Sequence, residues 1–229
     1  MQPGWKVWSL RRPPSVYFAT SSWRVPRQDK ICVVQALLES LGWLACAIYS
    51  TIPSFWLLIH PRVDSWRMKR SPYRMLLPLW IGLWILAALV TAPWREVAFY
   101  TTPWSWPPAC LLFAAGFWIY SQAGKGFSAR QLAGVPEVLA GHPDQRLVTT
   151  GIRRRVRHPV YLGHLCEMLA WSVGTGLAVC YALTAFAMIT GAVMIHMEDA
   201  ELESRFGQEY LEYRRRVPAV LPALRSHEF

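Results

Sequence analysis

The sequence predicts an all-α, polytopic integral membrane protein with about five transmembrane helices followed by a C-terminal amphipathic helix. Hydrophobic residues make up 53% of the 229 positions, whereas only 17% are charged, against roughly 25% in soluble domains. The hydrophobic residues are gathered in long blocks with few charges, as in helices that cross a bilayer. Basic residues flank these blocks, so the net charge of +10 fits membrane-flanking loops and anionic lipids better than nucleic acid.

The order of the blocks divides the chain into three regions. Residues 1–30 are basic and contain several Trp and Tyr, which is typical of a tail at the membrane interface. Residues 31–122 hold the first three spans, at about 31–59, 75–92 and 108–122. The first span contains Pro53 and is long enough for one tilted or kinked helix.

The third region, 123–229, begins with a long polar loop. Two further spans follow at about 160–179 and 181–195, and no charged residue lies between them. This pattern predicts a helical hairpin with a tight turn near Cys180. Most of the 24 Lys and Arg residues lie in the first loop, the third loop and the C-terminal tail, which the positive-inside rule places in the cytoplasm. The basic N-terminal tail conflicts with this assignment.

Polar side chains line one face of the fourth predicted span. Tyr161, His164, Glu167 and Trp171 follow one another at spacings of 3, 3 and 4 residues, which places them on one side of a helix. A carboxylate within a span usually faces the bundle interior or a wet cavity. The stripe therefore either lines a site or makes helix–helix hydrogen bonds.

A second stripe predicts the amphipathic helix after the fifth span. Its apolar and aromatic members are Leu202, Phe206, Tyr210, Tyr213 and Val217. We expect Glu198, Asp199 and Glu201 in the first turn of this helix and Arg214, Arg215 and Arg216 in its last turn. The alternative interpretation is a plain interfacial anchor helix. An anchor, however, does not need acids at a membrane exit opposite an Arg cluster.

Two dense polar segments, 147–161 and 197–222, lie at the two ends of the predicted hairpin and therefore on the same side of the membrane. The motifs in them are LVTTG at 147–151, RHPVYLG at 157–163, the acids Glu198 and Asp199 with Leu202, FGQEYLEY at 206–213 and VPAVLP at 217–222. In this order the motifs resemble the membrane-embedded methyltransferase family of isoprenylcysteine carboxyl methyltransferases, phospholipid methyltransferases and bacterial thiol-methylating relatives.

The resemblance implies a helical membrane fold that binds S-adenosyl-L-methionine at the cytoplasmic end of the hairpin, without a Rossmann domain. No GxGxxG motif is present. We expect an integral membrane protein of a bacterial inner membrane with its cofactor site facing the cytoplasm. The expected cofactor-binding residues are Leu147, Val148, Gly151, His158, Pro159, Tyr161, Glu198, Leu202, Tyr210 and Tyr213. The expected catalytic residues are Arg157 and Glu167, and no metal site is expected.

The chain departs from the family pattern in three places. Arg153 stands where the family often has Tyr, and the second acid is Asp199 instead of Glu. The segment 192–197 lacks the Arg that members acting on isoprenylcysteine often carry before the acidic pair. That Arg would suit a carboxylate substrate, so its absence puts the prenylcysteine reaction in doubt. We interpret Arg153, Arg154 and Arg155 as lipid-facing residues that set the topology.

The acceptor is expected to be a lipophilic or amphiphilic small molecule with a carboxylate, thiol or amine, in contact with membrane lipids and not with nucleic acid. The sequence does not indicate an oligomeric state. Two alternatives stay open. One is a membrane reductase of the sterol-reductase type that uses NADPH. The other is a non-catalytic membrane protein that keeps the donor pocket.

Overall fold

The long helices form where the sequence gathers its apolar residues. The computed structural model describes residues 27–62, 65–66, 68–69, 71–125 and 147–221, and within them every regular element is helical. The helices are α1 (Arg27–Ile59), α2 (Tyr73–Thr91), α3 (Trp106–Ala123), α4 (Pro159–Thr175), α5 (Ala178–Phe206) and α6 (Gln208–Arg216). The all-α prediction is therefore confirmed, and each of the five predicted spans corresponds to one helix.

Some predicted features fall outside the described residues. They include the interfacial tail up to residue 26, loop residues 126–146 and the chain end from residue 222. The first span is a single helix that continues through Pro53, as expected.

Among the residues that the structure describes, three helices are long and apolar enough to cross a membrane. They are the segments Val33–Arg62, Tyr73–Trp94 and Ala178–Phe206. Helix α2 exposes apolar side chains around most of its surface, among them Leu77, Ile81, Leu86 and Leu89, which is typical of a helix surrounded by lipid. The other two predicted spans are the shorter helices α3 and α4. The chain is thus built as a helical integral membrane protein.

The core lies where the hairpin packs on the N-terminal helix. Helix α4 runs along α3, and α5 runs along α1. Cys46 and Ala47 of α1 pack with Met168 of α4 and with Cys180 and Leu183 of α5. The packed Cys46 and Cys180 are free thiols. This packing fixes the turn end of the hairpin relative to α1.

The hairpin turn is tight, as predicted, and is centred on Gly176 instead of Cys180. Gly176 caps α4 in the left-handed conformation, with φ of 70°. A Cβ atom at this position would overlap the carbonyl oxygen of Tyr100. The turn is also tied to the loop after α2, because Phe99 N–H donates to the Gly176 carbonyl at 2.9 Å and Ala178 N–H donates to Val97 at 2.9 Å.

The predicted boundary of the C-terminal amphipathic helix is wrong. Glu198, Asp199 and Glu201 belong to the last part of α5, which continues without interruption to Phe206. The break comes at Gly207, whose φ of 57° ends α5 and separates it from α6. The acids therefore lie beyond the apolar part of α5 on the same rod, and α6 turns back towards them.

Candidate functional site

The two polar segments predicted from the sequence lie side by side at the open end of the hairpin. Two backbone hydrogen bonds join them. Arg157 N–H donates to the Pro218 carbonyl at 3.0 Å, and His158 N–H donates to the Ala219 carbonyl at 2.9 Å. Helix α4 begins immediately afterwards at Pro159, because the proline ring presets φ and has no N–H to satisfy in the first turn. Arg157 and His158 are thereby held at the helix entrance.

Asp199 of α5 is surrounded by donors from two other segments, the entrance of α4 and helix α6. Its Oδ1 lies 2.9 Å from His158 Nε2 and accepts a hydrogen bond from the Tyr210 hydroxyl. Its Oδ2 lies 3.0 Å from Arg157 Nη2 and 3.7 Å from Arg214 Nε. Both oxygens are thus engaged by the protein itself. Asp199 therefore joins the entrance of α4, the end of α5 and α6.

Glu198, the neighbouring acid, is less completely engaged. Its Oε2 lies 3.4 Å from His158 Nδ1, which is long for a hydrogen bond. Among the described residues this buried oxygen has no hydrogen-bond partner. The side chain as a whole is 24% exposed, so Glu198 lies at the edge of the network.

Arg157 likewise keeps unused donors. One terminal nitrogen pairs with Asp199, but the Nε and Nη1 atoms are buried and have no partner among the residues that the structure describes. A buried guanidinium with unmet donors costs free energy. The site therefore combines unmet cationic donors on Arg157 with an unmet carboxylate oxygen on Glu198.

His158 is held between the two acids. Burial alone would lower the pKa of His158, but the charge of Glu198 and the hydrogen bond to Asp199 outweigh it and raise the pKa to about 9. Each ring nitrogen faces a carboxylate, and only the doubly protonated imidazolium offers a donor to both. His158 therefore carries a positive charge at neutral pH.

Aromatic and apolar side chains form one wall beside these charges. The cluster consists of Tyr210, Tyr213 and Val217, with Leu147, Leu202 and Phe206 packed against it. Burial raises the pKa of Tyr213 to about 12, and the neutral hydroxyl donates to the Arg153 carbonyl at 2.8 Å. The ring of Tyr161 stacks on His158 at 5.8 Å between centroids.

The predicted cofactor residues thus fall into two contacting groups and a remainder. His158, Glu198 and Tyr210 meet around Asp199 together with Arg157, whereas Leu147, Leu202 and Tyr213 belong to the aromatic wall. Val148 is half-buried, and Gly151 is exposed with a left-handed φ of 63°. Their predicted role in cofactor binding stays a prediction.

The interpretation of Arg153 as a lipid-facing residue does not match its position. Arg153 is half-buried, and its Nη1 donates to the carbonyl of Ala123 at the end of α3 at 3.0 Å. Arg154 and Arg155 are exposed, as expected of topology determinants. Arg153 instead fixes the loop before α4 to the end of α3.

Glu167, the second predicted catalytic residue, lies deeper in the bundle. It follows His158 by nine positions, which corresponds to about 13 Å along a helix. The side chain is buried and accepts a hydrogen bond from the hydroxyl of Tyr49 in α1. Tyr49 was not predicted from the sequence, because no motif surrounds it.

A cavity of about 530 Å³ adjoins the site on another face of α5. It is lined by His60, Pro61, Arg62, Ser65, Met197, Ala200, Glu201 and Ser204. His60 Nδ1 lies 2.8 Å from Glu201 Oε2, and Arg205 pairs with the same acid. Sequence reasoning missed His60, since a single histidine after an apolar block carries no pattern that singles it out.

Comparisons with known proteins agree with the resemblance seen in the motifs. Residues 108–209 match the family model described as phospholipid methyltransferase. The chain is 39% identical over 82 residues to protein-S-isoprenylcysteine O-methyltransferase B of Arabidopsis thaliana, covering 34% of this chain and 40% of that protein. It is 37% identical over 87 residues to the human protein-S-isoprenylcysteine O-methyltransferase, covering 35% of this chain and 28% of that protein.

A longer match joins the chain to a Delta(14)-sterol reductase of Mus musculus, with 32% identity over 120 residues, 48% of this chain and 28% of that protein. The chain thus spans less than half the length of each of these relatives. The matched family region contains the whole hairpin and both acids at its end. Through this region, the chain is similar to isoprenylcysteine carboxyl methyltransferases and to the phospholipid methyltransferase family.

Proposed function

We propose that the chain is an integral membrane methyltransferase that transfers a methyl group from S-adenosyl-L-methionine to a lipophilic or amphiphilic acceptor. One observation carries the proposal. The unmet donors of Arg157 and the unmet Oε2 of Glu198 lie around the same network. Together they complement a zwitterion that has a carboxylate at one end and an ammonium group close by, which is the amino-acid part of this methyl donor.

The residues present fit that group by charge and by hydrogen-bonding capacity. A guanidinium N–H donates a charge-assisted hydrogen bond to a carboxylate, and Arg157 has unmet N–H groups on Nε and Nη1 to offer. Glu198 is placed to accept from the ammonium group. Asp199 holds Arg157 and His158 in position from behind. The Tyr210 and Tyr213 rings provide aromatic surface for the adenine and for the cationic sulfur.

The bound donor supplies a methyl group on a sulfonium, which an acceptor displaces in line. The chain contributes binding, orientation and the exclusion of water, which are the main requirements of such a displacement. Arg157 and Glu198 fix the amino-acid end, while His158 stays charged and anchors Glu198 and Asp199. Tyr161, stacked on His158, is the first side chain on the stripe leading inwards.

Two of the relatives are named protein-S-isoprenylcysteine O-methyltransferases, so a prenylated cysteine is the acceptor that their names indicate for those proteins. The absence of Arg from 192–197 argues against a carboxylate acceptor in this chain, and a thiol or amine stays open. The distribution of Lys and Arg supports a cytoplasmic cofactor site. The proposed location in a bacterial inner membrane rests on the resemblance to bacterial thiol-methylating proteins.

Equilibrium binding of S-adenosylhomocysteine to the full-length protein in lipid nanodiscs tests the proposal, because this compound keeps the amino-acid zwitterion. We expect Glu198→Gln and Arg157→Gln each to weaken binding by about tenfold or more, the value of one charge-assisted hydrogen bond. We expect the same direction for His158→Ala. The matched control is Glu203→Gln, because Glu203 lies on the same helix and pairs with the half-exposed Arg214.

NADPH in the same assay tests the second candidate, the reductase, which the longest of these matches favours. Binding of NADPH in place of S-adenosylhomocysteine would overturn the methyltransferase proposal. Binding of S-adenosylhomocysteine that none of the three substitutions weakens would show that the donor site is placed wrongly.

A further inference from the structure

A polar cluster lies inside the apolar bundle, where α1, α3 and α4 meet. We call Tyr49, Tyr120, His164 and Glu167 the Glu167 cluster. Glu167 is 4% exposed, and Tyr49 donates its hydroxyl to Oε2. The His164 ring lies 5.1 Å from the Tyr49 ring and 5.4 Å from the Tyr120 ring between centroids. Each of the three helices therefore contributes a polar side chain to the same place.

Two polar atoms of the cluster have no partner. Glu167 Oε1 and the Tyr120 hydroxyl are buried without a hydrogen bond to any part of the chain that the structure describes. Within those residues no Lys, Arg or His forms an ion pair with Glu167. Buried polar atoms are nearly always paired in proteins. The open oxygen of Glu167 therefore indicates a place for a molecule that brings a hydrogen-bond donor.

Glycines bring α3 and α4 together at this point. A Cβ atom on Gly116 would lie 3.0 Å from Glu167 Cγ, and one on Gly163 would lie 2.7 Å from the Tyr120 ring. Gly163 and Glu167 are four residues apart, so they share one face of α4. The Tyr120 side chain is therefore held against the face that carries Glu167, and the close packing fixes both groups.

A row of rings connects the cluster with the proposed donor site. The His158 and Tyr161 centroids are 5.8 Å apart, and those of Tyr161 and His164 are 6.4 Å apart. Side chains of a helix lean towards its N-terminus, so Glu167 leans towards the donor end of this row. The cluster thus lies at the inner end of a row whose outer end holds the donor residues.

We propose that the Glu167 cluster holds the reacting atom of the acceptor and admits only nucleophiles that carry a hydrogen, namely thiols, alcohols or amines, while excluding carboxylates. This inference rests on the proposed methyltransferase function. The acceptor X–H donates to Glu167 Oε1, and Tyr49 is a positioning residue that occupies Oε2. A carboxylate offers acceptors but no donor, so it leaves Oε1 unmet and places two like charges side by side.

The transfer balances with the groups named. The acceptor atom X forms a bond to the methyl carbon, and the carbon–sulfur bond breaks with its electron pair staying on sulfur. The proton of X–H passes to Glu167 Oε1, so the positive charge lost by the sulfonium neutralises the carboxylate. Proton removal by one positioned group typically contributes a hundredfold or more to a rate.

The test compares four acceptors that have the same number of carbon atoms: dodecanethiol, dodecanol, dodecylamine and dodecanoate. The full-length protein in nanodiscs receives donor with a labelled methyl group. We expect at least one of the first three compounds to be methylated at least about ten times faster than dodecanoate. As a second readout, that compound raises the thermal unfolding temperature of the complex with S-adenosylhomocysteine, and dodecanoate does not.

Glu167→Gln separates selectivity from structure. Glutamine keeps an oxygen for the Tyr49 hydroxyl and places an amide N–H₂ where Oε1 was, which now suits a carboxylate. We expect the ratio of the methylation rate of the X–H acceptor to that of dodecanoate to fall by about tenfold or more. The affinity for S-adenosylhomocysteine is expected to stay unchanged. The matched control is Glu39→Gln in α1, where the carboxylate accepts from Gln35 of the same helix at 2.9 Å.

If Glu167 has only a structural role, Glu167→Gln would lower the methylation rates of all four acceptors by the same factor. The ratio between the X–H acceptors and dodecanoate would then stay unchanged, and this result would overturn the inference. Faster methylation of dodecanoate than of the X–H compounds by the unsubstituted protein would also overturn the inference. The same holds if no X–H compound is methylated and none raises the unfolding temperature. Absence of S-adenosylhomocysteine binding in the unsubstituted protein would instead overturn the proposed function, so the two failures are distinguishable.

Discussion

At the scale of single residues, the two adjacent acids of α5 have different surroundings. Asp199 is engaged on both oxygens by Arg157, His158 and Tyr210. Glu198 keeps one oxygen without a hydrogen bond and is partly exposed. A paired, buried carboxylate serves to hold segments together, and breaking such a pair is costly. Asp199 therefore organises the network, and in the proposed function Glu198 faces the methyl donor.

The charge on His158 predicts a pH dependence of stability. The pKa is raised from 6.5 to about 9 on folding, so the imidazolium stabilises the folded state fully below pH 6.5. This contribution is lost as the pH rises through 9 and amounts to roughly 3 kcal/mol. We expect His158→Asn to lower the unfolding temperature by several degrees at pH 6 and by much less at pH 9.5.

The measurement is thermal unfolding in nanodiscs followed by circular dichroism for both proteins across this pH range. The ionisable groups around His158 are Glu198 and Asp199, with Arg157, Tyr210 and Arg214 on the other side of Asp199. Burial and the hydrogen bond to Asp199 raise the pKa of Tyr210, so Tyr210 does not titrate in this window. A difference between the two proteins that stays constant with pH would contradict the raised pKa.

The sequence identified His158, Arg157 and Glu198 correctly as neighbours, because each belongs to a recognisable ordered motif. It did not assign Asp199 its central position. Adjacent residues on a helix point about 100° apart, and which one faces α6 depends on how α6 packs. Tyr49 was missed for a similar reason, since its partner Glu167 is 118 positions away and only packing brings them together.

At the scale of elements, two glycines set where helices end. Gly176 closes α4 and Gly207 closes α5, each with a positive φ. The sequence predicted a tight hairpin turn near Cys180, because two apolar blocks follow each other with no charged residue between them, but it did not predict the break at Gly207. The apolar stripe keeps its spacing of three and four residues across that glycine, and periodicity alone carries no information about a single dihedral angle.

Substitution of the two glycines by alanine is expected to have unequal effects. Gly176→Ala places a methyl group against the Tyr100 carbonyl, and it does so at a residue whose backbone is left-handed. Backbone strain and steric overlap therefore both destabilise the folded variant. Gly207→Ala meets no atom within 4 Å and suffers only backbone strain. We expect a loss of about 1 kcal/mol or slightly more for Gly207→Ala and a clearly larger loss for Gly176→Ala.

Unfolding temperatures of the two variants in the same lipid check this order. Gly82→Ala in α2 is the control, because it has open space and an ordinary helical backbone, and alanine favours a helix over glycine. If Gly176→Ala and Gly207→Ala lower the unfolding temperature equally, the expected order is wrong. The hairpin turn would then be able to move away from Tyr100 and avoid the overlap.

At the scale of the whole molecule, the two ends of the hairpin differ in chemistry. One end carries the charged network around Asp199, and the other carries the turn at Gly176, which is tied to the loop after α2. In the described part of the chain three helices are long and apolar enough to cross a membrane. Helices α4 and α5 run in opposite directions between the two ends of the hairpin. The two helices of the hairpin therefore separate the proposed donor site from the opposite membrane face.

This polarity predicts a definite orientation. Lys and Arg concentrate in the loops on the side of the Asp199 network, so the positive-inside rule places that end in the cytoplasm and the Gly176 turn outside. Glu96, in the loop tied to the turn, and Glu212, on α6, are both exposed. In intact cells we expect a membrane-impermeant maleimide to label Glu96→Cys beyond the background of the native cysteines, and to label Glu212→Cys only after permeabilisation. Labelling of Glu212→Cys from outside would reverse the orientation and remove cytoplasmic methyl donor from reach of Arg157 and Glu198.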